Sequence, residues 1–380
     1  MNKNEALKAG IIGWYGDGER FAGGESDKTK SFKYLCEHAY GHLEMVSTDG
    51  CKKKPFSFFV KVWKLLAHSD DVFIILSTEG TKYLLPIINL LNSLWHRRLF
   101  YAMVGIGTFK FETGKRNATN EEMTFFVQHP DCWKPRHNRI ARNLKKMKKI
   151  FVQTPTLVRM CETIYGLKNA LYLNNFRPSS SIVKTEPRFF PKNPEAIRFV
   201  FFARVCQAKG VDDMITAYSL LSNEEQGKCY IDLFGMVQGF SKDWFESITL
   251  PSHFAYKGVL LKDKPTTLSQ YDCMIFPTRY IEGVPGTIID CRYAGLPLLA
   301  SNFTFAKDLI NDGKDGIIYQ YGNPKALAAA MASIIDDCSI LEPLAKASAK
   351  RACDFSEDQI LPIFESALFQ ETSHDQKYHV

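Results

Sequence analysis

The chain has 380 residues, 45% hydrophobic and 23% charged, too many for one ordinary core and suited to two domains of about 150–200 residues each. Those fractions are those of a globular protein and exclude a disordered or fibrous one. The formal charge of +7 is uneven: residues 1–190 hold 30 Lys and Arg against 17 Asp and Glu, and residues 191–380 hold 18 against 24.

The N-terminus leads into a short apolar stretch ending at Gly13, too short for a secretory leader. The longest apolar stretch, Val72 to Trp95, is broken by Ser77, Thr78, Glu79 and Lys82, so no membrane span is expected. Ten scattered cysteines contain no Cys-x-x-Cys pair, which fits a reducing cytoplasm and argues against a structural zinc site. His38, His42, His68 and His129 likewise lack metal-ligand spacing.

Short β-rich runs alternate with periodic segments, the rhythm of parallel α/β units. The first half predicts strands at 8–14, 43–47, 71–77, 98–105, 149–153 and 170–175. Helices are expected at 28–40, 55–68, 81–95, 121–144 and 155–165, the last started by Thr154 and Pro155. A proline-rich stretch at 177–195 has no periodicity and reads as a linker. The pattern then restarts, with strands at 197–203, 229–234, 254–259, 272–276, 296–300 and 315–319 and helices at 211–222, 286–294 and 324–336. The expected fold class is α/β: two Rossmann-like doubly wound domains facing across a cleft. Their expected bounds are 1–178 and 190–352, with a C-terminal helix in 353–372 packing back on the first domain. Ligands of such sheets sit at the carboxyl ends of the strands.

The segment Cys273 to Pro297 carries the most chemistry. It reads as strand, loop, short helix and strand, with Gly295 as a helix stop and Pro297 beyond it. Gly283, Val284, Pro285, Gly286 and Thr287 bring backbone N–H groups to a helix N-terminus, a ready place for a diphosphate. Glu282 precedes this loop and Asp290 lies one turn into the helix. Two carboxylates so arranged can hold ring hydroxyls on either side of a diphosphate, the shape of a nucleotide sugar. Arg204 ends a strand and Lys209 precedes a helix; fixed cations there suit a diphosphate leaving group and could stand in for a metal ion. The bland alternative makes Glu282 a solvated loop acid and Asp290 a helix-dipole partner.

Arg204, Lys209-Gly210, Gly235, the segment Tyr256 to Val259, and Glu282 through Asp290 to Pro297 follow an order that resembles GT-B glycosyltransferases. They look like the retaining type of family 4, the Glu-x7-Glu group, and runs in the first half look like bacterial capsule or exopolysaccharide enzymes. Those runs are Gly23-Gly24, Tyr101 to Gly107, and Asn174 to Arg177. The resemblance implies that Arg204 and Lys209 bind the diphosphate, Glu282 the donor sugar, and Asp290 the ribose. It further implies that Gly283 to Gly286 line the sugar and phosphates and that Gly23 and Gly24 let the first loop approach the donor. It implies retention of configuration, no metal and no other cofactor. In this chain Asp290 stands where the family has Glu, one methylene longer. Many relatives carry a His after a strand like 71–77, whereas here the run is Ser77-Thr78-Glu79-Gly80; Glu79 is therefore the acceptor-side candidate.

Two basic stretches remain. Lys52 to Leu66 is cationic and amphipathic, and Lys134 to Lys149 has eight Lys and Arg and no acid. Either a core helix with a solvated rim or docking on an anionic membrane explains them. With the charge split, the second leads to an expected cytoplasmic protein, peripheral on the inner face of the plasma membrane, with a glycan or lipid-linked acceptor. No recognition module for nucleic acid accompanies the charge. The leading expectation is an enzyme that moves a sugar from a nucleotide donor to such an acceptor. The missing His and Asp290 keep open a catalytically silent nucleotide-sugar or glycan-binding subunit; a GT-B epimerase is disfavoured.

Overall fold

The computed structural model describes residues 4–16, 24–109, 119–129, 138–182, 190–237 and 241–369. A first sheet contains β1 (Asn4–Gly13), β2 (Tyr40–Ser47), β3 (Asp71–Leu76), β4 (Arg98–Met103), β5 (Lys149–Val152) and β6 (Ala170–Tyr172). A second contains β7 (Ile197–Phe202), β8 (Cys229–Phe234), β9 (Phe254–Tyr256), β10 (Cys273–Phe276), β11 (Leu298–Ser301) and β12 (Gly316–Tyr319). Their orders are β2-β1-β3-β4-β5-β6 and β12-β11-β10-β7-β8-β9. Every pairing is parallel. Parallel strands are covered on both faces, so their central members must be apolar along their length; β3 and β10 are buried at every residue.

Each sheet reverses its strand order once, between β1 and β3 and between β7 and β10. At such a reversal the loops leave in opposite directions and open a crevice at the strands' carboxyl ends. The right-handed rule for parallel crossovers puts helices Pro55–His68, Thr78–Trp95 and Asn138–Leu144 on one face of the first sheet. Helix Gly24–Ala39 covers the other, together with the last helix, Glu357–Phe369. Phe364 packs on Phe32 and Phe73 at centroid distances of 5.9 and 5.5 Å. Tyr34 OH donates to Glu357 at 2.8 Å, and Arg98 donates to the Leu368 carbonyl at 3.1 Å. The chain thus crosses back to the first sheet after completing the second.

The expected elements fall close to the observed ones, with informative differences. Helix Thr78–Trp95 starts earlier than expected because the Ser77 side chain caps it, accepting from Gly80 N–H at 3.2 Å. The single helix expected over 121–144 is two, Asn120–Gln128 and Asn138–Leu144. The first ends just before His129-Pro130, where the proline ring disfavours helical backbone in the preceding residue.

Candidate active site

The second sheet's reversal gathers the residues from which the site is built. Arg204 follows β7, Lys209 lies in a 3-10 turn before helix Val211–Ser219, and Glu282 sits in the loop after β10. The approach of these loops depends on glycine. Gly210 has φ +78°, and a Cβ there would collide with the Pro277 carbonyl. Gly235, at φ +154°, lies against the Ala203 carbonyl, so any side chain would push the ends of β7 and β8 apart.

Lys209 and Glu282 are both buried and form an ion pair. Thr278 Oγ1 donates to the same carboxylate oxygen at 2.8 Å. A buried charge must be paired and hydrogen-bonded, and here each ion satisfies the other. The Lys209 ammonium also lies 5.2 Å from the Tyr280 ring centroid, and the Arg204 guanidinium 5.7 Å from that ring. Arg204 is exposed and has no carboxylate partner among the described residues. Behind them the Arg279 guanidinium grips Asp213, with Nε 2.7 Å from Oδ2, and Ser301 donates to the Thr278 carbonyl at 2.8 Å. The loop bearing Glu282 is therefore held from below. One cation is pinned by a carboxylate, and the other has no such partner among the described residues.

Helix Gly286–Tyr293 has Pro285 at its N-cap and no capping side chain, so its first N–H groups remain for a ligand. Asp290 lies buried on this helix and takes an Nε–H bond from Arg177 at 3.1 Å. Burial pushes its carboxyl above the usual aspartate range, while Arg177 and Lys264 pull it down. A Cβ on Gly286 would strike the Arg177 guanidinium, and one on Gly283 would come 2.9 Å from Gly105 Cα. The glycine loop therefore fits closely against the first half of the chain.

Residues of that half hold the loop in place. Val284 N–H donates to Gln153 Oε1 at 3.4 Å, and Asn175 Nδ2 donates to the Val284 carbonyl at 3.1 Å. Gln153 and Lys28 both donate to Asn175 Oδ1, at 3.3 and 3.1 Å. Lys28 is fully buried, and desolvation pulls its ammonium down to about 7. Gly24 opens helix Gly24–Ala39, while Gly23 lies outside the described residues.

At the first sheet's reversal a cavity of about 970 Å³ opens between Trp14, Glu25, residues 48–53, Ser77, Glu79 and Tyr83. Glu79 is exposed at its rim, and burial raises the Glu25 carboxyl above its ordinary value. Sequence reasoning singled out Arg204, Lys209, Gly235, Glu282 and the loop to Asp290; the fold pairs Lys209 with Glu282, sets Gly235 against the residue before Arg204, and turns Asp290 to Arg177. It missed Thr278, Tyr280, Gln153 and Lys28. Tyr280, Gln153 and Lys28 act across long sequence separations, whereas Thr278 bonds Glu282 only four residues on and could have been found by that spacing. Arg177 was quoted only as part of a run; its carboxylate partner is 113 residues away.

Residues 183–351 match the family model described as glycosyl transferases group 1. Among curated proteins, the chain is similar to the capsular polysaccharide biosynthesis glycosyltransferase CapM of Staphylococcus aureus. The two are 23% identical over 229 residues, 60% of this chain and 56% of that protein. It is also similar to the poly(glycerol-phosphate) alpha-glucosyltransferase of Bacillus subtilis, 21% identical over 62% of this chain and 35% of that one. The matches thus span about half and about a third of these relatives' lengths. Among solved structures, HepE of Anabaena in complex with UDP superposes with a TM-score of 0.68 at 13% identity, covering 95% of this chain and 99% of that one. Sucrose-phosphate synthase of Thermosynechococcus elongatus gives 0.68 at 12% identity, covering 96% and 98%. At such identities the likeness is one of fold, and that fold is GT-B. The family match lies over the second sheet and its helices, residues 183–351.

Proposed function

We propose that the protein transfers a sugar from a nucleotide-diphosphate sugar to a glycan or lipid-linked acceptor in polysaccharide biosynthesis, with retention of anomeric configuration. The observation that carries this reading is the buried Lys209–Glu282 pair beside the free Arg204, at the reversal of a group 1 domain. The named activities of the capsular polysaccharide and poly(glycerol-phosphate) relatives, and the UDP bound by HepE, support the same donor class.

In this reading the donor diphosphate lies over the N-terminus of helix Gly286–Tyr293, and Arg204 and Lys209 neutralise it. As the glycosidic bond to phosphate breaks, charge accumulates on the departing nucleoside diphosphate. Preorganised cations and N–H groups are worth most there, because they need no reorganisation at the moment of reaction. This cationic compensation is of the kind a metal ion supplies in other transferases, and a metal-independent reaction is part of the proposal. Glu282, held by Thr278, binds hydroxyls of the transferred sugar, and Asp290, held by Arg177, binds the ribose. The acceptor enters from the cavity at Trp14, Glu79 and Tyr83 and attacks from the face the leaving group vacates. Action at the inner face of the plasma membrane fits the basic first half.

Incubation with a panel of UDP- and GDP-sugars plus membrane extract as acceptor source tests the reading. Release of nucleoside diphosphate with one donor is expected. Binding of a donor without turnover would instead support a catalytically silent binding subunit.

A further inference from the structure

The two basic stretches picked out in the sequence frame a third feature that the sequence did not show. Helix Pro55–His68 sends Phe58, Val62, Leu65 and Leu66 into the core, yet leaves Phe56, Val60 and Trp63 exposed. These three are spaced i, i+4, i+7 and form one stripe. The next helix, Thr78–Trp95, does the same with Tyr83, Ile87, Leu90 and Leu94, also one continuous stripe. Phe56 is 82% exposed, Leu90 69% and Leu94 66%, so these are not rim residues of the core. The helices lie side by side, with the Trp63 and Trp95 rings 5.5 Å apart.

Charge flanks the stripes. On one side stand the exposed Lys52, Lys53, Lys54, Lys61 and Lys64, with no acid between Gly50 and Ser69. On the other, helix Asn138–Leu144 packs on helix Thr78–Trp95 through Asn89, whose Nδ2 donates to Asn143 Oδ1 at 2.9 Å. That helix and its exit carry exposed Arg139, Arg142, Lys145 and Lys146, again with no acid. Helix Thr78–Trp95 itself has one acid, Glu79, at the end nearest the cavity. A contiguous exposed apolar patch of this kind marks an interaction site. Apolar stripes between basic rims match an anionic lipid surface, which takes the rings and leucines below its headgroups and the cations among its phosphates. Face-to-face pairing of two copies would instead oppose like charges.

We propose that the face formed by helices Pro55–His68 and Thr78–Trp95 docks on an anionic bilayer, with the basic residues on both flanks as its electrostatic rim. The stripe begins at Tyr83, which also lines the cavity, so docking brings the cavity mouth to the headgroup level. A lipid-linked acceptor would then reach the site without leaving the membrane; this consequence, but not the docking itself, rests on the proposed transferase activity.

Vesicle flotation of the full-length chain tests the proposal, using phosphatidylcholine alone or with phosphatidylglycerol. The wild type is expected to float with the anionic vesicles only, and less as salt is raised. Leu90→Gln/Leu94→Gln and Lys61→Glu/Lys64→Glu should each cut flotation at least tenfold, with Tm and donor-dependent nucleoside-diphosphate release in detergent-free buffer unchanged. Flotation of both variants at the wild-type level, or absence of wild-type flotation, would overturn it. So would a wild-type dimer in size-exclusion chromatography that Leu90→Gln/Leu94→Gln converts to monomer. Flotation as expected from a protein inactive on every donor would retain the docking surface and reject the transferase reading.

Discussion

The two sheets reverse their strand order in the same way, but the two crevices are furnished differently. At β7 and β10 the groups are charged, buried and braced: Lys209 on Glu282, Thr278 beneath it, Arg279 on Asp213, and glycine at 210 so that two loops can touch. At β1 and β3 the groups surround an open space, with Trp14 and Tyr83 as apolar walls and Glu25, Glu79, Lys52 and Lys53 also in the lining. On the proposed function the contrast has a reason: a diphosphate is the same in every nucleotide sugar and rewards fixed charge, whereas an acceptor varies and suits a roomier, less committed surface. Topology supplies the place for a ligand, and local packing decides how rigidly it is held.

Substitutions at matched positions sharpen this contrast. Gly210→Ala forces both a left-handed backbone and a collision with Pro277, and should cost about 3 kcal/mol of stability by denaturant melts. Gly50→Ala, at φ +67° in the open crevice with nothing within 4 Å, should cost only about 1 kcal/mol. Equal losses would mean that the braced crevice tolerates movement.

Lys209→Ala and Glu282→Gln should each lower turnover at least about 100-fold, the scale of one preorganised charge contact. Near-wild-type rates for both would remove the assignment of the charged crevice as the donor site.

Arg177→Met leaves Asp290 buried without its cation and should cost about 2 kcal/mol at neutral pH. Burial alone places the folded carboxyl above its unfolded value, so the folded state binds the proton more readily and the penalty grows as pH rises through that interval. The loss in Tm should therefore be larger at pH 7 than at pH 4. A loss independent of pH would show that Arg177 acts by packing alone.

Lys28 gives the clearest pH signature. Its folded value is about 7 against 10.5 for the free group. Between those values the unfolded chain holds a proton that the folded chain has released, so stability rises with pH across that window and the burial penalty is complete below it. Lys28→Met should raise Tm by a few degrees at pH 6, with the gain shrinking toward pH 10. A constant offset would place the ammonium in contact with solvent.

Much of this could be read without coordinates. Hydrophobic runs and periodicity determined twelve strands in two groups, since a buried parallel strand has no other way to satisfy its surroundings than to be apolar throughout. The spacing Glu282-x7-Asp290, the helix stop at Gly295 and the cations at 204 and 209 marked the residues of the proposed donor side, because loop and helix geometry are local. Tertiary structure alone decided which partner each ion takes. Asp290 meets Arg177, and Val284 meets Gln153 and Asn175, through contacts more than 100 residues apart that no local pattern encodes. It also decided the fate of the apolar residues in Lys52 to Leu66. A periodic pattern says that a helix has an apolar face, but only packing shows how much of that face the core covers and that a neighbouring helix extends the remainder.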